Sequence, residues 1–384
     1  MPELFIDQPE QLAEFAASIK SSPWLALDTE FIREKTYFPR LCLLQISDGE
    51  TSACIDPLAI TDLSPLLEVL FDTRITKVFH AAGQDLEIFF NEWKQLPQPL
   101  FDTQPAAALL GYGEQIGYAG LIQKTLNIDL AKDHSRTDWA RRPLGKEQLR
   151  YALDDVIYLG QAYQKMLRKL ENLGRVSWLE NDFAQLSDEK NYIPAPMSMW
   201  KKIKGRRHLT GVKLAALQQL ASWREQQAIK RNLPRRWVLK DDPMLDLARH
   251  MPQSLAKMES IRGLEPGIIR RYGDSLLQLL QTASQLPREQ WPRDNFTPDQ
   301  LTPEQEAMGD LLYCALRLLA ATNNMSAAAI AGRKQLQALI QGERDLALMR
   351  GWRKTVAGDP LLDLLNGKRQ VISRNGTLML TQPN

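Results

Sequence analysis

Asp28, Thr29 and Glu30 close an apolar run that begins at Trp24. In an extended strand, residues i and i+2 project to the same side. The Asp28 and Glu30 carboxylates therefore stand beside one another. Two like charges that close repel unless a cation lies between them. A divalent ion supplies that charge, and hard Mg²⁺ or Mn²⁺ prefers oxygen ligands. A lone Asp-x-Glu is also what a solvated strand end looks like. Asp85 opens a helical pattern after the apolar stretch 77–80, where an acidic residue also serves as a cap. Tyr151 and Asp155 stand four apart in a strong helical pattern, one turn apart on one face. Their structural roles would be core packing and surface charge. Asp154 competes with Asp155, since it lies three residues from Tyr151.

The elements that must position these residues are legible in outline. Residues 24–31, 41–47, 52–56 and 77–80 are short apolar runs that predict strands. Residues 63–71, 85–93, 105–110 and 147–173 carry helical patterns. Strands alternating with helices predict a central sheet covered by helices. Beyond about residue 200 strand-like runs largely disappear, and helices punctuated by Pro and Gly take over. The stretches 191–196 and 285–303 predict linkers, the second holding Pro287, Pro292, Pro298 and Pro303. The expected domains are 1–190, 205–285 and 300–375. The two helical modules share a short repeat: Arg262-Gly263 and Gly273-Asp274-Ser275-Leu276-Leu277 in the first, Arg350-Gly351 and Gly358-Asp359-Pro360-Leu361-Leu362 in the second. Its placement suggests duplication.

Composition narrows the partners. The 384 residues are 44% hydrophobic and 24% charged, the profile of a globular protein. No segment is long and apolar enough for a membrane span; the best, 311–321, is broken by Arg317. Glu3, Asp7 and Glu10 stand where a secretory leader carries basic residues, so none is expected. Cys42, Cys54 and Cys314 form no metal-type pair and suit a reducing compartment, so cytoplasmic residence is expected. Net charge is only +2, but eleven Lys or Arg and a single acid, Glu225, fall between residues 201 and 236. Such a run is either a solvated face or a polyanion-binding surface. Lys201, Lys202, Lys204, Arg206, Arg207, Lys230, Arg231, Arg235 and Arg236 are the candidate contacts to such a polyanion. Trp223 and Trp237 could stack on bases or pack in a helical core.

Taken in order, Asp28-x-Glu30, Asp85 and Tyr151-x-x-x-Asp155 resemble the 3′→5′ exonuclease superfamily named for its four acidic residues, in its tyrosine subclass. The stretches Leu27-Asp28-Thr29-Glu30-Phe31, Phe79-His80-Ala81-Ala82, Trp139-Ala140-Arg141-Arg142-Pro143-Leu144 and Tyr151-Ala152-Leu153-Asp154-Asp155-Val156 resemble its ribonuclease D branch. Leu233-Pro234, Asp241, Leu245, Leu247-Ala248, Pro252, Ile261 and Gly263 resemble the helicase-and-RNase-D C-terminal (HRDC) domain. The module after residue 300 is a weaker copy.

The resemblance implies a ribonuclease H-like mixed α/β domain followed by two all-α HRDC domains. It favours Asp155 over Asp154. It implies two divalent ions, Mg²⁺ or Mn²⁺, one on Asp28, Glu30 and Asp155, the other on Asp28 and Asp85. Tyr151 would orient the attacking water, since a phenol near its ordinary pKa of about 10 is a poor base. The implied substrates are transfer-RNA precursors and other small structured RNAs with unpaired 3′ tails. No nucleotide cofactor is expected, and the chain is expected to act as a monomer. Hydrolysis should reside before residue 160, and the RNA body should be held after residue 200.

Other signals are set aside. Gly111-x-Gly113-x-x-x-Gly117 has its last glycine one position late for a dinucleotide loop and follows a helical pattern rather than a strand. His134, four before Asp138, is expected to be a loop residue, and His80 a strand-end residue. Two rivals stay open: a DNA 3′→5′ exonuclease of proofreading type, and a non-catalytic nucleic-acid adaptor. The four intact carboxylates argue against the adaptor.

Overall fold

Six short apolar segments assemble one mixed sheet: β1 (Glu3–Ile6), β2 (Trp24–Ile32), β3 (Arg40–Ser47), β4 (Ser52–Ile55), β5 (Thr76–Phe79) and β6 (Leu100–Asp102). Their spatial order is β1-β4-β3-β2-β5-β6. The pairs β1/β4, β2/β5 and β5/β6 are parallel, and β3/β4 is antiparallel. In this computed structural model residues 2–130, 137–293 and 301–383 are described; His134 and Pro298 lie outside them. The expected strands appear as β2 to β5. β1 and β6 were not anticipated, since one has three exposed residues in four and the other is only three residues long.

Strand alternation sends each face of β2 into its own core. Leu25 and Leu27 pack among α1 (Pro9–Ile19), α2 (Ser64–Leu70) and α3 (Gly83–Trp93), with Leu12, Phe15, Leu66, Leu86 and Phe89. Trp24 and Ala26 face the other way, into a core with α4 (Thr103–Leu109), α5 (Tyr118–Leu126) and α6 (Lys146–Asn172). The 27-residue α6 buries Val156, Leu159, Tyr163 and Met166 as one stripe. It approaches β2 closely because Gly160 has no side chain: a Cβ there would lie 2.7 Å from the Trp24 ring. Gly111 and Gly113 fall in the loop after α4 with positive φ, as a tight connection requires. α7 (Glu180–Leu186) follows.

Two compact units partition the chain: Met1–Phe31, Leu41–Tyr192 and Gln300–Asn384 form one, and Ile32–Arg40 with Ile193–Asp299 form the other. The second unit is built on α8 (Gly211–Arg231), α9 (Arg235–Val238), α10 (Asp241–His250), α11 (Leu255–Met258) and α12 (Pro266–Gln285). Leu217, Leu220, Met244, Leu247 and Leu276 form its centre, joined by Trp200 and Ile203. Tyr37, from the 32–40 segment, packs there on Ala228 and Val238.

The C-terminal module belongs to the first unit. It holds α13 (Pro303–Thr322), α14 (Ala327–Ile330), α15 (Arg333–Ile340), α16 (Gly351–Arg353) and α17 (Asp359–Leu365) around Leu312, Leu316, Leu336, Leu348 and Leu361. The expectation of an all-helical module needs one correction. Gln370–Arg374 (β7) and Thr377–Thr381 (β8) pair as an antiparallel hairpin, turned at Asn375-Gly376, both at positive φ. Asn-Gly is a strong hairpin turn. The repeated Gly-Asp has a packing cause: a Cβ at Gly273 would meet Leu255, and one at Gly358 would meet the Leu348 carbonyl. Among the described residues no helix is long and apolar enough to cross a membrane.

Candidate active site

Asp28 and Glu30 continue the Trp24/Ala26 face of β2, toward α6. There the structure brings Asp28, Glu30 and Asp155 together, one carboxylate oxygen from each lying within 4.8 Å of the others. Thr29 points the opposite way. Its hydroxyl donates to Asp85 Oδ1 at 2.5 Å, anchoring the first turn of α3 to the strand between the two carboxylates. Asp85 is buried. Asp154 is turned from the cluster and pairs with Arg150 one turn back on α6.

Among the described residues, burial and mutual repulsion govern these acids. Burial pushes the Glu30 carboxyl up to about 9, with the charges of Asp28, Asp155 and Asp85 adding to it. Burial and then the Asp154 charge raise Asp155 to about 7, against a hydrogen bond from Tyr151 that favours the ionised form. Asp28 is raised by burial and by Asp155. Asp85 is raised by burial and by Asp28, with the Thr29 bond opposing. Oxygen donors held this close, each costly to ionise alone, fit a bound divalent cation.

Tyr151 and Asp155 meet as the four-residue spacing requires, through a side-chain hydrogen bond. The Tyr151 ring lies against Trp139, with centroids 6.3 Å apart. Trp139 is in turn fixed by Arg142, whose guanidinium binds the buried Asp56 at 2.5 and 2.8 Å and also donates to the carbonyls of Trp139 and Cys42. Tyr118 donates to the carbonyls of Asp154 and Asp155 at 3.0 and 2.6 Å, clasping α6 at the cluster. His80 is a strand-end residue hydrogen-bonded to Thr103 and lying beside Tyr118.

Sequence reasoning missed Thr29, Tyr118 and the Arg142–Asp56 pair. Thr29 had a signal: a β-branched hydroxyl between two acids in an otherwise apolar strand. Arg142 stood inside a recognised stretch with no partner to assign. Tyr118 gave none.

The candidate RNA-binding residues lie in the second unit. Lys201, Lys202, Lys204, Arg207, Lys230, Arg231 and Arg236 are exposed, while Arg206 and Arg235 are half-buried. Arg231 already bonds the Tyr272 hydroxyl. Arg235 binds Glu225 at 2.5 and 2.8 Å and lies 4.7 Å over the Tyr37 ring. Tyr37 donates to the same Glu225, and its backbone N–H donates to Asn232. Glu225, the single acid of the basic run, thus neutralises one of its cations internally. Trp223 packs edge-on against Tyr272, while Trp237 is 59% exposed.

Residues 4–171 match the family model for 3′–5′ exonucleases, and residues 213–280 match that of the HRDC domain. The chain is 40% identical to the ribonuclease D of Sphingobium indicum over 98% of both chains. It is 38% identical to that of Pseudomonas paraeruginosa over 95% of this chain and 98% of the relative. The crystal structure of Escherichia coli RNase D, described as an exoribonuclease involved in structured RNA processing, superposes with a TM-score of 0.83. Identity there is 34%, covering 95% of this chain and 99% of that one.

Proposed function

The chain belongs to the ribonuclease D family and is a 3′–5′ exoribonuclease, and from that premise we propose how its residues divide the work. The carrying observation is the convergence of Asp28, Glu30 and Asp155, with Asp85 held beside them by Thr29. Asp28, Glu30 and Asp155 would hold one divalent ion, Mg²⁺ or Mn²⁺, and Asp28 with Asp85 a second. Such ions lower the pKa of a bound water and neutralise charge on the oxygens of the scissile phosphate. Tyr151 orients the attacking water by hydrogen bond. Burial and the neighbouring carboxylates hold its phenol above its ordinary range, so it stays protonated, its O–H donating to Asp155 and its oxygen left to accept from the water. Trp139 and Arg142 keep that phenol in place.

The exposed cations between Lys201 and Arg236 hold the RNA body through phosphates, which position a strand without reading its sequence. Residues 300–375 act as a divergent HRDC copy, beside domains at 1–190 and 205–285. The substrates are 3′ tails of transfer-RNA precursors and similar structured RNAs. The enzyme works as a cytoplasmic monomer without a nucleotide cofactor.

The test compares 3′- and 5′-labelled RNA with Mg²⁺ or Mn²⁺, with and without chelator, beside DNA with matched tails. The expected result is immediate release of 5′-mononucleotide from the 3′ label, abolished by chelator and faster on RNA. Rapid internal cleavage of circular RNA, or a preference for the DNA tails, would overturn the reading.

A further inference from the structure

We propose that a cavity in the helical second unit, formed mainly by the segments flanking the HRDC-matching residues 213–280, binds one unpaired nucleotide of the RNA body. This rests on the functional reading above. The cavity has a volume of about 470 Å³ and is lined by Pro196, Met197, Trp200, Lys201, Pro292 and Arg293, among others. Small-ligand sites are concave, mostly apolar and furnished with a few polar groups, and this one has that make-up.

Four observations point to a nucleotide. Met197 is 50% exposed, a large apolar side chain left to solvent at the rim. Gln218 donates to its carbonyl and fixes that wall. Lys201 and Arg293 are exposed cations, and Lys201 Nζ lies 5.9 Å over the Trp200 ring. No described residue of the lining is acidic.

An apolar wall and two cations complement one ligand chemistry well. A base lies on Met197 and the prolines, and its phosphate meets Lys201 and Arg293. Unstacked single-strand bases are recognised in this way, on apolar or aromatic surfaces beside a cationic track. An apolar peptide would use the wall but leave both cations idle.

The experiment measures affinity of the full chain for a hairpin RNA with a 3′ tail, in chelator, across a salt series. Arg293→Gln should weaken binding about threefold or more and flatten the salt slope by about 0.7, the single-strand increment for one phosphate. Met197→Ala should weaken binding by a similar factor with the slope unchanged, since an apolar contact releases no counterion. A photoreactive residue at position 197 should crosslink to RNA. Unchanged affinity in both exposed variants, or a loss in Arg293→Gln alone, overturns the nucleotide pocket. Crosslinking to protein and none to RNA makes the cavity a peptide site and overturns it equally. Absence of 3′-end release by the wild-type chain would instead sink the functional reading.

Discussion

Thr29 is neither acid nor base, yet it decides where Asp85 points. Groups that orient metal ligands typically matter about 10–100-fold in activity or metal affinity. Thr29→Val keeps the β-branched shape and removes the bond to Asp85. Exonuclease kcat should fall within that range, and Thr29→Ser should recover most of it. Wild-type kcat in Thr29→Val would show that Asp85 needs no such anchor. The carboxyl cluster also sets a pH dependence. Asp155 at about 7 and Glu30 at about 9 are raised above their ordinary values. A raised carboxyl contributes stability that is fully present below its unfolded pKa, near 4. That contribution is lost as pH rises through the folded value. The metal-free chain should therefore melt at lower temperature at pH 9 than at pH 5. Mg²⁺ should restore more of the melting temperature at the higher pH, where its ligands are ionised. A metal-free melting temperature that rises over this interval would contradict the assignment.

At the scale of elements, α6 is the piece that must sit correctly. Gly160 lets it reach β2, Tyr118 clasps its backbone, and the Arg142–Asp56 pair braces the segment that carries Trp139 to Tyr151. Burial alone would raise Asp56, but the Arg142 hydrogen bonds and those from the Leu58 and Ala59 N–H groups outweigh it and hold it below its ordinary value. Removing one partner of a buried pair typically costs about 3–5 kcal/mol. Arg142 is partly exposed, so the lower end is expected for Arg142→Ala. That variant should lower both the melting temperature and kcat. Denaturant melts and single-turnover rates read the two effects. An unchanged midpoint would show the brace to be dispensable.

For the whole molecule, the first unit gathers residues from both ends of the chain. Trp352 stacks on Trp178 at 4.7 Å and 6°, and its indole N–H donates to the Trp178 carbonyl. Arg353 binds Asp182 at 2.9 and 3.0 Å, and Arg175 donates to the Leu109 and Asn323 carbonyls. A sequence reading that puts hydrolysis before residue 160 suggests that a fragment ending near 195 is self-sufficient. These contacts change that expectation. The fragment would expose Trp178 and leave Asp182 without its cation. It should melt well below the full chain, by circular dichroism, and lose activity on short RNA at temperatures the full chain tolerates. A fragment as stable as the parent would show the C-terminal contacts to be incidental.

The sequence by itself determined what short-range periodicity governs. A strand repeats every two residues, so Asp28 and Glu30 share a face. A helix repeats near every four, so Tyr151 and Asp155 share one too. The amphipathic stripe of α6 and the basic run beyond residue 200 are local in the same sense. The tertiary structure decided what depends on residues distant along the chain. By spacing alone Asp154 competes with Asp155, and only the family resemblance favours Asp155 in the sequence. The fold turns Asp155 to β2 and leaves Asp154 to Arg150. The Thr29–Asp85 bond joins residues 56 apart, and the Arg142–Asp56 pair spans 86. In the basic run, Glu225 and the distant Tyr37 engage Arg235 in ways no composition reveals. Such partners are chosen by which faces meet when helices pack on a sheet. That choice is made by the burial of whole surfaces and is not written at any single position.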